Sequence, residues 1–245
     1  MKVKRKIYDI CLFVFLLIIA IIYFYPVMLM FANSLKSFGE VLTNPISLPK
    51  EYVFQNYKDV FEKMNYIKLF RNNMIITSIG ILGIVFFSSA AAYVLDRRRT
   101  AYTKIAYAVI ITPMLIPFQT IMITLLKAMN VIHLSGSKVG LGIQYWGFGI
   151  PMATFIYFNF LKTIPKEIDE SAKIDGASTF RTYLFVIFPL LKSVTFTVIV
   201  LDVMWIWNDF LLPLLMVNSG NETKTLVLAA YTFVGSMNTK WHYAM

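Results

Sequence analysis

Thr163-Ile164-Pro165-Lys166-Glu167-Ile168-Asp169-Glu170-Ser171-Ala172-Lys173-Ile174-Asp175-Gly176-Ala177-Ser178 is a polar island in an oily chain, running on through Phe180, Tyr183 and Leu184 to Pro189 and Lys192. Ile164, Ile168 and Ala172 recur at every fourth position, and Lys166, Glu167, Asp169, Glu170 and Lys173 fill the rest, which is the spacing of a short amphipathic helix. Pro165 suits the first turn, where the amide it lacks would be unpaired anyway. Glu167, Asp169 and Glu170 complement the positive end of the helix dipole. Gly176 tolerates the left-handed geometry of a C-terminal cap. Ser178 is placed to cap a second helix, with Phe180, Tyr183, Leu184, Ile187 and Phe188 as its apolar face. Periodicity alone leaves two readings open: a solvated loop between membrane helices, or a helix–glycine–helix knob for docking.

The chain around the island is 58% hydrophobic with a mean hydropathy of +0.66. Several apolar runs approach the roughly 20 residues that cross a hydrocarbon core, so the fold class is an all-α polytopic membrane protein. The net charge of +10 accompanies no recognisable nucleic-acid module, and it falls mostly beside the apolar runs, where membrane orientation explains it. One cysteine, Cys11, excludes disulfides and cysteine metal clusters within the chain. His133 and His242 stand apart in expected loops, so no metal site is expected.

Five spans are expected, at about 10–31, 73–95, 105–126, 141–161 and 194–217. The basic head Lys2, Lys4, Arg5 and Lys6 and the first apolar run could describe a signal peptide, but the run is too long and shows no small-residue cleavage pattern. Gly80, Gly83 and Ser88-Ser89-Ala90-Ala91-Ala92 give the second span a face for close helix packing. Pro113 and Pro117 interrupt the third span, and Gly147, Gly149 and Pro151 the fourth. Of the 23 Lys/Arg residues, 13 lie in segments 1–8, 96–104 and 162–192, about 48 residues. The other 10 spread over about 81 residues in 33–71, 127–140 and 218–245. The denser set is expected to be cytoplasmic, N-terminus included. The chain then divides into an N-terminal tail and first span (1–32), an external loop (33–68) and a transmembrane core (69–245) containing the cytoplasmic loop 163–192. Five spans from an inside N-terminus leave Trp241–Met245 outside, at what reads as the entrance of a sixth span that the sequence stops short of.

The island also resembles a known signature. Glu170-Ser171-Ala172, Asp175-Gly176-Ala177-Ser178 and Phe188-Pro189-Leu190 are similar to the EAA loop of bacterial ABC-importer permeases: E-A-A, three residues, a glycine, and a proline further on. The chain departs at Ser171, where alanine is usual and a small residue preserves packing, and at Ser193, where K-P is common after the second helix. Trp207-Asn208-Asp209-Phe210-Leu211 with Pro213-Leu214, Ser34-Leu35-Lys36 after the proline-containing first span, and Ile164-Pro165-Lys166-Glu167 resemble the carbohydrate, maltose-type subgroup, specifically the shorter of its two paired permeases.

The resemblance implies a type I ABC-importer transmembrane domain in the bacterial plasma membrane. It implies four partners: a second permease forming a heterodimer, two ATP-binding subunits that carry the ATP and Mg, and an external solute-binding protein that delivers sugar. Glu170, Ser171, Ala172, Asp175, Gly176 and Ala177 would form the ATPase-coupling site, with Glu170 facing a basic partner residue and Gly176 as the corner. The chemistry is compatible, since an exposed carboxylate pairs with Arg and an apolar helix face fills a groove. The chain is not expected to be an enzyme or to hold a cofactor: Gly220 with Lys224-Thr225 lacks the second glycine of a P-loop.

Asp202 and Asp209 fall inside the fifth span, where ionised groups are expensive. Seven residues apart on a helix, they would share a face with Trp205 and Ile206 between them. One reading makes Asp202, Trp205, Trp207, Asn208 and Asp209 the border of a sugar pathway; the other has them fastening helices. Cargo alternatives are amino acids, peptides or phosphate. A different class, a proton-coupled secondary transporter using the two aspartates, leaves the island unexplained.

Overall fold

The computed structural model describes residues 2–217, 222–233 and 241–244. The expected outside segment 218–240, with Gly220, therefore falls partly outside the described residues, as do the side chains of Lys2, Lys4 and Arg5. Among the described residues all regular structure is helical: α1 (Lys2–Ser34), α2 (Phe38–Thr43), α3 (Gln55–Lys63), α4 (Tyr66–Arg97), α5 (Ala101–Ile111), a 3-10 turn (Thr112–Leu115), α6 (Phe118–Val131) and α7 (Lys138–Leu161). There follow α8 (Glu167–Ile174), α9 (Thr179–Arg181), a π turn (Thr182–Ile187), α10 (Phe188–Leu190), α11 (Lys192–Asn208), α12 (Leu211–Val217), α13 (Leu226–Ala230), a 3-10 turn (Tyr231–Phe233) and α14 (Trp241–Ala244).

Two compact units are present, residues 1–67 with 229–245, and residues 68–228. In the first, α1 runs unbroken through Pro26, and its segment Tyr8–Ser34 is long and apolar enough to cross a membrane. The stretch after it, expected as a polar loop, is ordered by hydrogen bonds. Ser37 caps α2 by accepting from the Glu40 amide at 3.4 Å. Lys36 is fully buried and donates to the Asn44 carbonyl at 2.8 Å, while Asn56 donates to the Ser34 and Lys36 carbonyls at 2.9 and 2.8 Å. Asp59 accepts from Tyr243, Gln55 and Lys63; these donors, Tyr243 foremost, hold its carboxyl down at about 2. His242, expected in a loop, sits in the short helix α14.

The second unit is built around the crossing of α4 and α7. A Cβ added to Gly83 of α4 would lie 2.0 Å from the Trp146 ring, and one on Gly142 or Gly149 of α7 would meet Ile79 at 2.7 Å or Ile84 at 2.3 Å. Such approach is open only to a backbone without a side chain at those points, which is why the expected small-residue face of the second span is buried here through Gly80, Gly83, Ser88, Ser89 and Ala92. The Trp146 indole donates to the Ile79 carbonyl at 2.8 Å across the same crossing. Tyr145, Tyr157, Leu161, Ile187 and Leu191 complete a fully buried core.

Three spans differ from the expectation. The third turns by 103° between Ala101–Leu115 and Phe118–Val131. Pro113 and Pro117 withdraw two amides within five residues, and the helix ends there rather than kinking. The fourth is one continuous 24-residue helix despite Gly147, Gly149 and Pro151. Pro151 is buried, and packing on α4 offsets the single hydrogen bond it forfeits. The fifth is broken at Asp209 and Phe210, where α11 stops and α12 begins. Among the described residues two helices can cross a membrane by length and composition, or up to four if each bent pair is one span.

Candidate functional site

The chain leaves α7 at Leu161 and tucks Ile164 into the core before Lys166 caps α8. Pro165 thus lies just ahead of the cap rather than in the first turn. Gly176 sits at φ +80°, and its amide and that of Ala177 bond the carbonyls of Lys173 and Ala172 at 3.0 and 2.9 Å. That pair of bonds is a Schellman cap, which needs a left-handed residue at the turn and is cheapest with glycine. Two residues on, Ser178 accepts from the Arg181 amide at 3.3 Å and starts the second helix.

That second helix buries Tyr183 and Ile187, leaves Leu184 and Phe188 half-buried, and turns Phe180 outward at 61% exposure. The expected apolar face is therefore split. Five-residue spacing in the π turn rotates Tyr183 and Ile187 inward, where Tyr183 meets the Ser89 hydroxyl of α4 at 2.8 Å.

α8 is fastened by an ion pair that its apolar spacing does not announce. Asp169 is buried, accepting from the Tyr93 hydroxyl at 2.6 Å and from Arg97 Nε at 2.9 Å. Arg97 also donates to Asp96 at 2.6 Å and to the Ile164 carbonyl at 3.3 Å, and Asp96 takes Arg99 at 3.0 Å. Removing two charges from water is costly, and this network meets the cost by giving every carboxylate oxygen a donor. Asp169, Tyr93, Arg97 and Asp96 were not among the sequence candidates. Asp169 is three residues from Ala172, on the inward face, and Asp96-Arg97-Arg98-Arg99 supplies the matching charge.

Of the sequence candidates, Glu170, Ser171, Asp175 and Gly176 are exposed, Ala177 is half-buried and Ala172 is buried on the attached face. With Ile174 at 86% exposure and Phe180 beside the glycine corner, they present carboxylates and apolar side chains outward, with Lys173 exposed among them.

The α11 candidates are arranged otherwise. Asp202 is buried against Gly149 of α7, whereas Asp209 lies beyond the helix in extended backbone. Asp209 accepts from the Tyr145 hydroxyl of α7 at 2.9 Å and caps α12 through the Leu211 amide at 3.1 Å. The expected shared helical face does not exist, because α11 ends at Asn208. Both carboxylates nevertheless meet α7, one turn apart at Tyr145 and Gly149. Trp205 packs edge-on against Tyr145 at 5.4 Å and stays 41% exposed. Trp207 meets Phe70 at 5.6 Å, and Asn208 donates back to the Met204 carbonyl at 2.7 Å. Asp209 thus ties α7 to the start of α12, whereas the Asn208 bond stays within α11.

Residues 84–245 match the family described as binding-protein-dependent transport system inner membrane component. The chain belongs to that family. Its relatives include a probable starch degradation products transport system permease of Thermoanaerobacterium thermosulfurigenes, 40% identical over 94% of this chain and 83% of the relative. A multiple sugar-binding transport system permease of Streptococcus mutans is 34% identical over 96% and 85% of the two chains. A melibiose/raffinose/stachyose import permease of Bacillus subtilis is 31% identical over 92% and 81%. The fold matches a solved bacterial ABC transporter involved in the import of the acidic polysaccharide alginate, with a TM-score of 0.84 at 20% identity, over 98% of this chain and 90% of that one. The permease is thus a transport component of the inner membrane, with the type I importer fold.

Proposed function

We propose that this permease is the membrane-spanning subunit of an ATP-driven importer of carbohydrates, pairing with a second permease and docking α8 on a separate ATP-binding subunit. The observation that carries the docking is the division of α8 into a buried face held by Asp169 and Ala172 and an exposed one bearing Glu170, Ser171 and Ile174. An amphipathic helix whose outer face is acidic and apolar suits a groove with a basic residue. Carbohydrate as cargo is supported by the names of its relatives, which transport starch products, multiple sugars and raffinose-type oligosaccharides. The density of Lys/Arg in 96–104 and 162–192 supports a cytoplasmic position for α8. A solute-binding protein then delivers cargo from the other side, and ATP and Mg2+ reside on the partner.

The test is co-purification of the wild-type permease with its ATP-binding subunit, followed by uptake in proteoliposomes supplied with the solute-binding protein. Glu170→Lys is expected to lower association or uptake by roughly tenfold or more, the loss of one charge-assisted contact being enough. Wild-type association and uptake in Glu170→Lys would remove the docking role. Uptake that collapses with an uncoupler but persists without the ATP-binding subunit would overturn the whole reading. A solute-binding protein selective for amino acids, peptides or phosphate would overturn the cargo.

A further inference from the structure

The helix α4 is gripped by polar side chains at both of its ends. At one end Tyr93 and Arg97 hold the buried Asp169 of α8, and Arg97 reaches on to the Ile164 carbonyl. At the other, Asn72 is fully buried and donates to the carbonyls of Glu222 and Lys224, both at 3.0 Å, while accepting from Lys138 at 3.1 Å. Asn73 accepts from the Leu226 amide at 2.9 Å, and Lys68 pairs with Glu222 at 2.5 Å. Lys224 and Thr225, which fall short of a nucleotide-binding motif in sequence, belong to this second grip; Thr225 is buried and accepts from the Leu228 amide at 3.3 Å.

Between Asn72 and Arg97 the helix is uninterrupted, a rod of about 38 Å at 1.5 Å per residue. Of the other long segments α7 is also continuous, but the third span turns by 103°, and the helix pair that follows α8 turns by 76° before α11. Along the chain, a force on α8 that reaches α11 must pass that bend. Through Asp169 and Arg97 it enters a straight helix directly. A buried ion pair with hydrogen bonds on every oxygen resists sliding, because any displacement leaves a charge unpaired in a dry site.

We infer that Asp169, Arg97 and Tyr93 are positioning residues that make α8 and α4 one rigid body, so that movement imposed on α8 is delivered along α4 to the Asn72/Asn73 grip on segment 222–226. The inference rests on the proposed docking of α8 to an ATP-binding subunit. It differs from that reading in assigning the work to residues enclosed between α4 and α8 rather than to the exposed face of α8.

The experiment uses the complete complex in proteoliposomes and reads cargo transported per ATP hydrolysed, alongside association with the ATP-binding subunit. Arg97→Met and Asn72→Leu are expected to keep association and hydrolysis while lowering cargo per ATP by roughly tenfold, the scale of a typical coupling between sites. The double variant is expected to be no worse than either single one, because both break one line. Restoring the pair in reverse, Arg97→Asp with Asp169→Arg, is expected to recover part of the ratio. Tyr93→Phe removes one hydroxyl and keeps the ring, so it reports on the same ratio with a smaller loss should the larger changes prevent assembly. Wild-type cargo per ATP in Arg97→Met or, failing assembly, in Tyr93→Phe overturns the rod, as does a double loss equal to the product of the two single losses. A wild-type complex that neither associates nor couples removes the docking reading instead.

Discussion

Asp169 and Glu170 are adjacent acids on one short helix, and their surroundings are opposite: the first is buried beneath Arg97 and Tyr93, the second faces outward. Removing one partner of a buried pair strands the other charge, at about 3–5 kcal/mol. Asp169→Ala is therefore expected to lower the thermal stability of the purified permease in micelles by that order, whereas Glu170→Ala stays within about 0.5 kcal/mol. Equal melting temperatures for the two variants would contradict the burial of Asp169. Sequence periodicity sees apolar positions and treats every carboxylate as solvated, so Glu170, Gly176 and Ser178 were legible and Asp169 was not. Gly176 was legible because only a few residue types tolerate a left-handed corner, and φ +80° is where it sits. Asp169 needed the third dimension, since its partners lie more than seventy residues away in the chain.

At the scale of elements, the glycines of α4 and α7 set how closely those helices approach. Trp146 lies flat against Gly83, where an added Cβ would be 2.0 Å from the ring and 2.1 Å from its nitrogen. Gly83→Leu must push the indole off the Ile79 carbonyl or part the helices, and overpacking of this kind costs about 1–3 kcal/mol. The expected result is a lower melting temperature with loss of the Trp146 environment, read as a shift in tryptophan fluorescence; an unshifted spectrum and unchanged melting would show that the crossing is looser than described. The packing face was legible from small residues in the second span, because close approach has few chemical solutions. The breaks were less so. Pro113 and Pro117 together ended a helix while Pro26 and Pro151, each alone, did not; two amides lost within five residues are more than one helical turn bears. The break at Asp209 carries no proline before it; the carboxylate caps α12 instead of continuing α11.

The molecule as a whole leaves a great deal of apolar surface bare, and nowhere more than along α1. Between Tyr8 and Phe31 no described side chain is buried, although the segment is apolar enough to cross a membrane. Apolar area left in water costs roughly 25 cal/mol per Å2, so a helix of this length needs hydrocarbon or another helix around it. Burial within the chain and cover by the membrane can be separated by comparing two side chains of similar exposure, Ile21 at 60% on α1 and Leu48 at 77% in the stretch after it. In a Cys11→Ser background, Leu48→Cys is expected to react readily with a charged maleimide in membrane fragments open to reagent on both faces. Ile21→Cys is expected to react roughly tenfold more slowly or less, because the thiolate that attacks is disfavoured away from water. Dissolving the fragments in a denaturing detergent should bring the two rates together. If Ile21→Cys reacted as fast as Leu48→Cys in intact fragments, α1 would be standing in water, and its place as a membrane span would be lost even though the fold of residues 68–228 would be untouched.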